Sequence, residues 1–133
     1  MSNCLKPKLE SELREAPVLA LAHVGDAVFE LMVRTWLYTS GTTTAKKLHN
    51  NAVEIVSAKA QAVAAESLLP HFDEDEHLIF KRGRNTHVNS VPRGSSVSEY
   101  HAATGLETLF GYLYLSGKTD RLEALFMIIM EDK

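Results

Sequence analysis

A single cysteine, Cys4, among 133 residues excludes a disulfide framework within the chain and any CxxC metal site, and it fits a reducing compartment. Long apolar runs are missing as well. Asp26 and Glu30 interrupt the most hydrophobic stretch, so no segment of about 18 uncharged apolar residues is available to cross a membrane. The first fifteen residues, MSNCLKPKLESELRE, have no apolar core of the kind a secretory signal needs. No alternating apolar–polar stretch of useful length occurs, which argues against strands. The histidines, among them His71, His77, His87 and His101, form no HExxH or adjacent His-Asp pattern, so a zinc hydrolase has little support.

What is present is the composition of one globular domain, with 45% apolar and 23% charged residues. The net charge of -3 excludes a generic polyanion binder, but its distribution is uneven. No acid lies between Glu76 and Glu99, while Lys81, Arg82, Arg84 and Arg93 all do, leaving an acidic remainder. That window is either a localised anion site or an accident of surface charge.

Helical periodicity dominates. Residues 1–16 are polar and mixed and are expected to be a frayed lead-in, with a single all-α domain over 17–133. Pro17 opens PVLALAHVGDAVFELMVRTWLY, which is apolar almost all round and is expected to be buried. Thr44 and Ser57 are candidate caps for two following helices, to about Val56 and to Pro70. DEDEHLIFKR places acids in its first turn and bases in its last, as the helix dipole favours. Residues 83–98 read as a long exposed loop, in which Gly83 would let the backbone approach a phosphate. Ser96 with Glu99 is a capping-box pattern opening EYHAATGLETLFGYLYLS, and a final helix follows Gly117.

Two acids stand out. Asp26 lies midway along the most hydrophobic helix beside Gly25, and Glu107 sits amid Leu106, Leu109 and Phe110, flanked by Gly105 and Gly111. A buried unpaired carboxylate costs several kcal/mol and needs a base, a metal or a proton. Either the two meet across packed helices, as Mg²⁺ would require, or each points to water along a narrow polar strip. Glu30 is better explained by Arg34 four residues on.

VGDAVFELMV resembles the signature helix of ribonuclease III, and GLETLFGYLYL resembles that family's second catalytic helix. KRGRN, preceded by LHN and VSAKAQA, narrows the likeness to the compact bacterial and plastid subclass, Mini-ribonuclease III. The resemblance runs from about Val18 to about Leu125. It implies a homodimeric all-α endonuclease that cuts both strands of double-stranded RNA with Mg²⁺, for which Mn²⁺ can substitute. Asp26 matches the signature aspartate and Glu107 the glutamate of the second helix, the implied catalytic and metal-holding pair. Ala22 and Thr104 stand where full-length enzymes carry further acids, Leu19 replaces another, and His23 replaces the subclass's usual aromatic.

The full-length enzymes append a double-stranded RNA-binding domain, and here the catalytic domain is left to hold the RNA. Lys81, Arg82, Arg84 and Asn85 match KRGRN, and Arg93 lies on the loop beyond. Lys59 in VSAKAQA is either a further RNA contact or a solvated helix face, and His49 in LHN suits packing or a cap. The subclass implies maturation of the large-subunit (23S) ribosomal RNA precursor, a ribosomal protein as helper, and a cytoplasmic location, or a plastid in a photosynthetic eukaryote. The alternatives are a dimer that holds structured RNA or a ribosomal partner without cutting, and a plain helical interaction protein.

Overall fold

The computed structural model describes residues 4–86, 91 and 93–131, and among these there is no strand. Seven α-helices follow in order: α1 (Glu10–Arg14), α2 (Val18–Thr39), α3 (Ala45–Val56), α4 (Ala58–Leu68), α5 (Glu74–Arg84), α6 (Val97–Leu115) and α7 (Thr119–Glu131). A short 3-10 turn, Leu69–His71, joins α4 to α5 where Pro70 ends the helical ladder.

The boundaries are set by short-range chemistry. Thr44 accepts from the Lys47 amide and Ser57 from the Ala60 amide, as their positions before helical runs predict. Asp73 with Glu76 and Ser96 with Glu99 both close reciprocal capping boxes. Gly117 turns the chain with φ +78° between α6 and α7.

Helix α6 is the axis of the domain. From Ala103 to Leu113 every residue is buried except Glu107, which is half-buried. Helices α2, α4 and α5 all pack along it, with α7 against its far end. Phe29 of α2 meets the Phe110 ring edge-on at 5.5 Å and Phe126 of α7 at 6.1 Å, closing the centre of the core.

Small residues decide how closely these helices approach. A methyl group on Gly25 would overlap the Glu107 carbonyl oxygen, and one on Gly111 would overlap the Leu21 carbonyl oxygen. Thus α2 and α6 cross with backbone against backbone. Gly83 and Gly105 do the same for α5 and α6: a methyl on Gly83 would strike the Thr108 side chain, and one on Gly105 would meet Phe80 at 2.8 Å. The glycines that cost α6 helical propensity are compensated by this contact.

Three expectations from the sequence are corrected. The segment before Pro17 is not frayed over its described part. Glu10–Arg14 is helical with Leu13 buried, the Lys8 amide donates to the Leu115 carbonyl at 2.7 Å, and Arg14 pairs with Asp75 at 2.8 Å. Its polarity reflects ion pairing rather than exposure to solvent alone. Residues Gly83 and Arg84 belong to α5, not to a loop, and Gly83 is buried against α6 and cannot bring backbone to a phosphate. Positions 87–90 and 92 of that expected loop lie outside the described residues. Finally, α2 is not buried all round: Leu31 and Tyr38 are 66% and 63% exposed, on a face left open among the described residues.

The glycine contact yields a direct prediction. Gly111→Ala should destabilise the domain by about 2 kcal/mol or more, since an overpacked rigid crossing has only backbone to displace. Urea denaturation measures this, and a change below about 0.5 kcal/mol would mean that α2 and α6 separate freely.

Candidate active site

The backbone contact at Gly25 and Gly111 fixes which side chains meet beside it. Asp26 follows Gly25 on α2 and is exposed, whereas Glu107 on α6 is half-buried and directed to the same place. The two carboxyls lie close enough to interact by charge and by a hydrogen bond. Of the two sequence alternatives, the meeting across packed helices is the one realised. Burial is not shared equally, however, and the expectation of two buried acids holds only in part for Glu107 and not for Asp26.

Glu107 has a second neighbour that the sequence reading did not single out. Gln61 of α4 is only 2% exposed, and its Nε2 donates to Glu107 Oε2 at 3.3 Å and to the Val56 carbonyl at 3.0 Å. Its carbonyl Oε1 is buried with no partner among the described residues. The clue was available in the spacing of Gln61, Ala64, Ala65 and Leu68, one inward face of α4 on which a polar residue heads an apolar row.

Burial, then the charge of Asp26 and the hydrogen bond with it, push the Glu107 carboxyl up to about 8, while the Gln61 amide pulls it down. Two acids held together in this way favour either a shared proton or a cation. Among the described residues no three His, Cys, Asp or Glu side chains gather, so the protein offers a pair of hard oxygen donors at an open edge. That donor set fits Mg²⁺, which commonly takes one or two carboxylates and fills its remaining positions with water and substrate phosphate. Ala22 and Thr104, the positions without acids, are both buried, and the Thr104 hydroxyl donates to the Tyr100 carbonyl at 2.9 Å. Glu30 is held by Arg34 at 2.6 Å, as its spacing predicts.

The basic residues divide by role. Lys81, Asn85, Arg93 and Lys59 are exposed. Arg84 is half-buried over the Phe80 ring at 5.8 Å, and with Lys59 it lines a shallow cleft of about 390 Å³ between α4, α5 and the start of α6. Arg82 departs from expectation. It donates to the Arg14 carbonyl at 2.6 Å and the Ala16 carbonyl at 3.5 Å, tying α5 to the chain before α2. His49 is exposed on α3 and takes no part in the acid pair.

Residues 19–118 match the family model described as the ribonuclease III domain. The chain belongs to the ribonuclease III family. It is similar to the Mini-ribonuclease 3 of Clostridium tetani, at 36% identity over 91% of this chain and 81% of that one. The Mini-ribonuclease 3 of Symbiobacterium thermophilum is 42% identical over 80% and 82%. The crystal structure of a Fusobacterium nucleatum protein superposes with a TM-score of 0.81 at 30% identity, covering 91% of this chain and 97% of that one. The likeness read from the signature segments is therefore shown, and the chain is an endoribonuclease, a hydrolase of RNA phosphodiester bonds. A plain helical interaction protein is set aside. No helix among the described residues is long and apolar enough to cross a membrane.

The raised acid gives a pH signature for the metal-free protein. A carboxyl whose folded pKa lies above its unfolded value contributes fully below about 4.5 and loses that contribution as pH rises toward about 8. In EDTA, wild-type stability should therefore fall across this interval, while Glu107→Gln should fall less and be more stable at pH 8 by about 2 kcal/mol, after allowance for water at the open edge. Denaturation at pH 5 and pH 8 checks it, and parallel pH profiles would show that Glu107 ionises freely.

Proposed function

We propose that this ribonuclease III family member is a homodimeric Mini-ribonuclease III that cleaves both strands of double-stranded RNA with Mg²⁺, using Asp26 and Glu107 as its metal-holding catalytic pair. The observation that carries this reading is the meeting of the two acids at a crossing too close to admit a methyl group. When bound, the ion supplies activation of a water and stabilisation of charge on the phosphate, and Mn²⁺ is expected to substitute. Asp26, being exposed, faces the side from which RNA arrives, while Glu107 is braced from behind by Gln61. Such a thin ligand set predicts weak metal affinity until substrate phosphate completes it.

Lys81, Arg84, Asn85, Arg93 and Lys59 are the proposed RNA contacts, suited to the phosphate and 2′-hydroxyl contacts by which duplex RNA is held. The inward contacts of Arg82 make its part chiefly structural. Dimerisation is supported by an apolar groove of about 950 Å³ between α2 and α7, lined among others by Val24, Leu31, Trp36, Tyr114 and Met127. Asp26 lies on its rim. A second copy covering this groove would bury the apolar face of α2 that the fold leaves open. From the likeness to the compact subclass we assign as substrate the large-subunit (23S) ribosomal RNA precursor in the cytoplasm, both ends being cut at one stem, with a ribosomal protein as helper. The missing acids at Ala22 and Thr104 would suit a non-cleaving RNA-holding module, and the retention of Asp26 and Glu107 together argues against it.

The deciding experiment is cleavage of an end-labelled RNA duplex, and of a stem joining the 23S precursor ends, in Mg²⁺ against EDTA. Wild-type protein should cut both strands only with the metal, Asp26→Asn should lose at least about a hundredfold in kcat while still binding RNA, and Lys81→Ala with Arg84→Ala should raise KM. Normal cutting by Asp26→Asn would remove the acid pair from the reaction. For the dimer, Leu31→Lys should convert a two-chain sedimenting species to a monomer. A wild-type monomer at micromolar concentration would overturn that assignment.

A further inference from the structure

The buried amide of Gln61 is the most unusual polar group in the core. It belongs to the one fully buried glutamine, in a helix whose other buried residues are alanine and leucine. Its orientation is dictated by its neighbours: Nε2 donates both to the Val56 carbonyl and to Glu107 Oε2. Reversed, the amide oxygen would face two acceptors. In the observed orientation Oε1 is left buried with no partner among the described residues. Leaving such an atom unsatisfied typically costs about 1–3 kcal/mol, which a methionine of similar length would avoid. A residue kept for packing alone would not carry this defect beside a carboxylate.

We infer that Gln61 is a positioning residue for the nuclease site: its amide clamps one oxygen of Glu107 and leaves the other directed toward Asp26, where a divalent cation and the scissile phosphate would be held. The inference rests on the proposed role of the acid pair. The geometry makes the division of labour specific. Glu107 is the only half-buried residue in the otherwise buried run from Ala103 to Leu113, so its carboxyl swings at the edge of the core unless a donor fixes it. Gln61 sits on a different helix, α4, and is anchored at its other contact to the last residue of α3. Its position is thus independent of the α2–α6 crossing that brings Asp26 and Glu107 together. A neutral donor also suits the place, because a lysine or arginine would form an ion pair and compete with a cation for the same oxygen. Among the described residues no third acid joins the pair, and an amide that orients one carboxylate is a means of making two acids suffice.

The test uses Gln61→Met, which keeps the length and removes the amide, and Gln61→Asn, which keeps the amide but withdraws it by one methylene from Glu107. In Gln61→Met we expect kcat on duplex RNA to fall about 10- to 100-fold, KM for RNA to stay within about twofold because Gln61 touches no RNA-facing surface, and Tm to remain within about 4 °C. Mn²⁺ affinity, read by electron paramagnetic resonance without RNA, should weaken severalfold. This metal readout tests Gln61 even if wild-type protein fails to cut duplex RNA, an outcome that would strike the proposed function instead. A folded Gln61→Met with wild-type kcat and Mn²⁺ affinity overturns the inference and leaves the glutamine a packing residue. Should Gln61→Met fail to fold, Gln61→Asn decides: a loss of at least tenfold supports the clamp, and full activity overturns it.

Discussion

The backbone contact between α2 and α6 is the constraint on which the rest of the molecule depends. Gly25 lies against the Glu107 carbonyl and Gly111 against that of Leu21, so the two helices touch where ordinary helices are held 8–10 Å apart by side chains. The same crossing sets the Phe29–Phe110 contact and the axis around which α4, α5 and α7 arrange themselves. It also places Asp26 and Glu107 beside one another. The proposed site and the core are therefore one construction: what loosens the crossing moves the acids.

Bringing two carboxyls together in this way works against stability. Glu107 resists ionisation because it is partly buried and because Asp26 is near, and a cation or a proton is the physical remedy. The structure concentrates this liability in one place and offsets it elsewhere. Glu76, 3% exposed, is held by Arg121 at 2.7 Å within a capping box, and the Tyr112 hydroxyl donates to both Glu10 and Asp75 at 3.0 Å. These acids are all compensated by protein donors. Glu107 has an amide and an acid for neighbours, the arrangement of a site that awaits a ligand rather than of a structural ion pair.

Much of this was legible in the sequence because its signals are local. The caps at Thr44, Ser57 and Ser96 involve residues three apart, and the Glu30–Arg34 pair residues four apart, so the chain states them directly. Gly25 and Gly111 could be read as places of close approach, and the resemblance of their helices paired Asp26 with Glu107. What escaped depends on contacts distant in the chain. The helix Glu10–Arg14 looks like a solvated tail until Asp75, 61 residues after Arg14, is in place. Arg82 donates to the Arg14 and Ala16 carbonyls, 68 and 66 residues away, contacts that no local pattern announces. Gln61 is 46 residues from Glu107, and no periodicity could join them.

The apolar periodicity of α2 was a local signal that misled, and the reason bears on how the enzyme is built. Apolar residues all round a helix mean burial, but not burial by the same chain. One side of α2 is covered by α6; the other, with Leu31 66% exposed, opens onto the groove shared with α7. Asp26 sits where these two faces meet, close to the glycine crossing on one side and on the rim of the groove on the other. A second chain seated in that groove would lie against the helix that carries the exposed acid, and would exclude water from one edge of the site. Because α2 borders both, a substitution such as Leu31→Lys that opens the groove would also leave Asp26 more freely hydrated. Under the proposed dimer, association of two chains and assembly of the acid pair would be coupled through a single helix, with no moving part required.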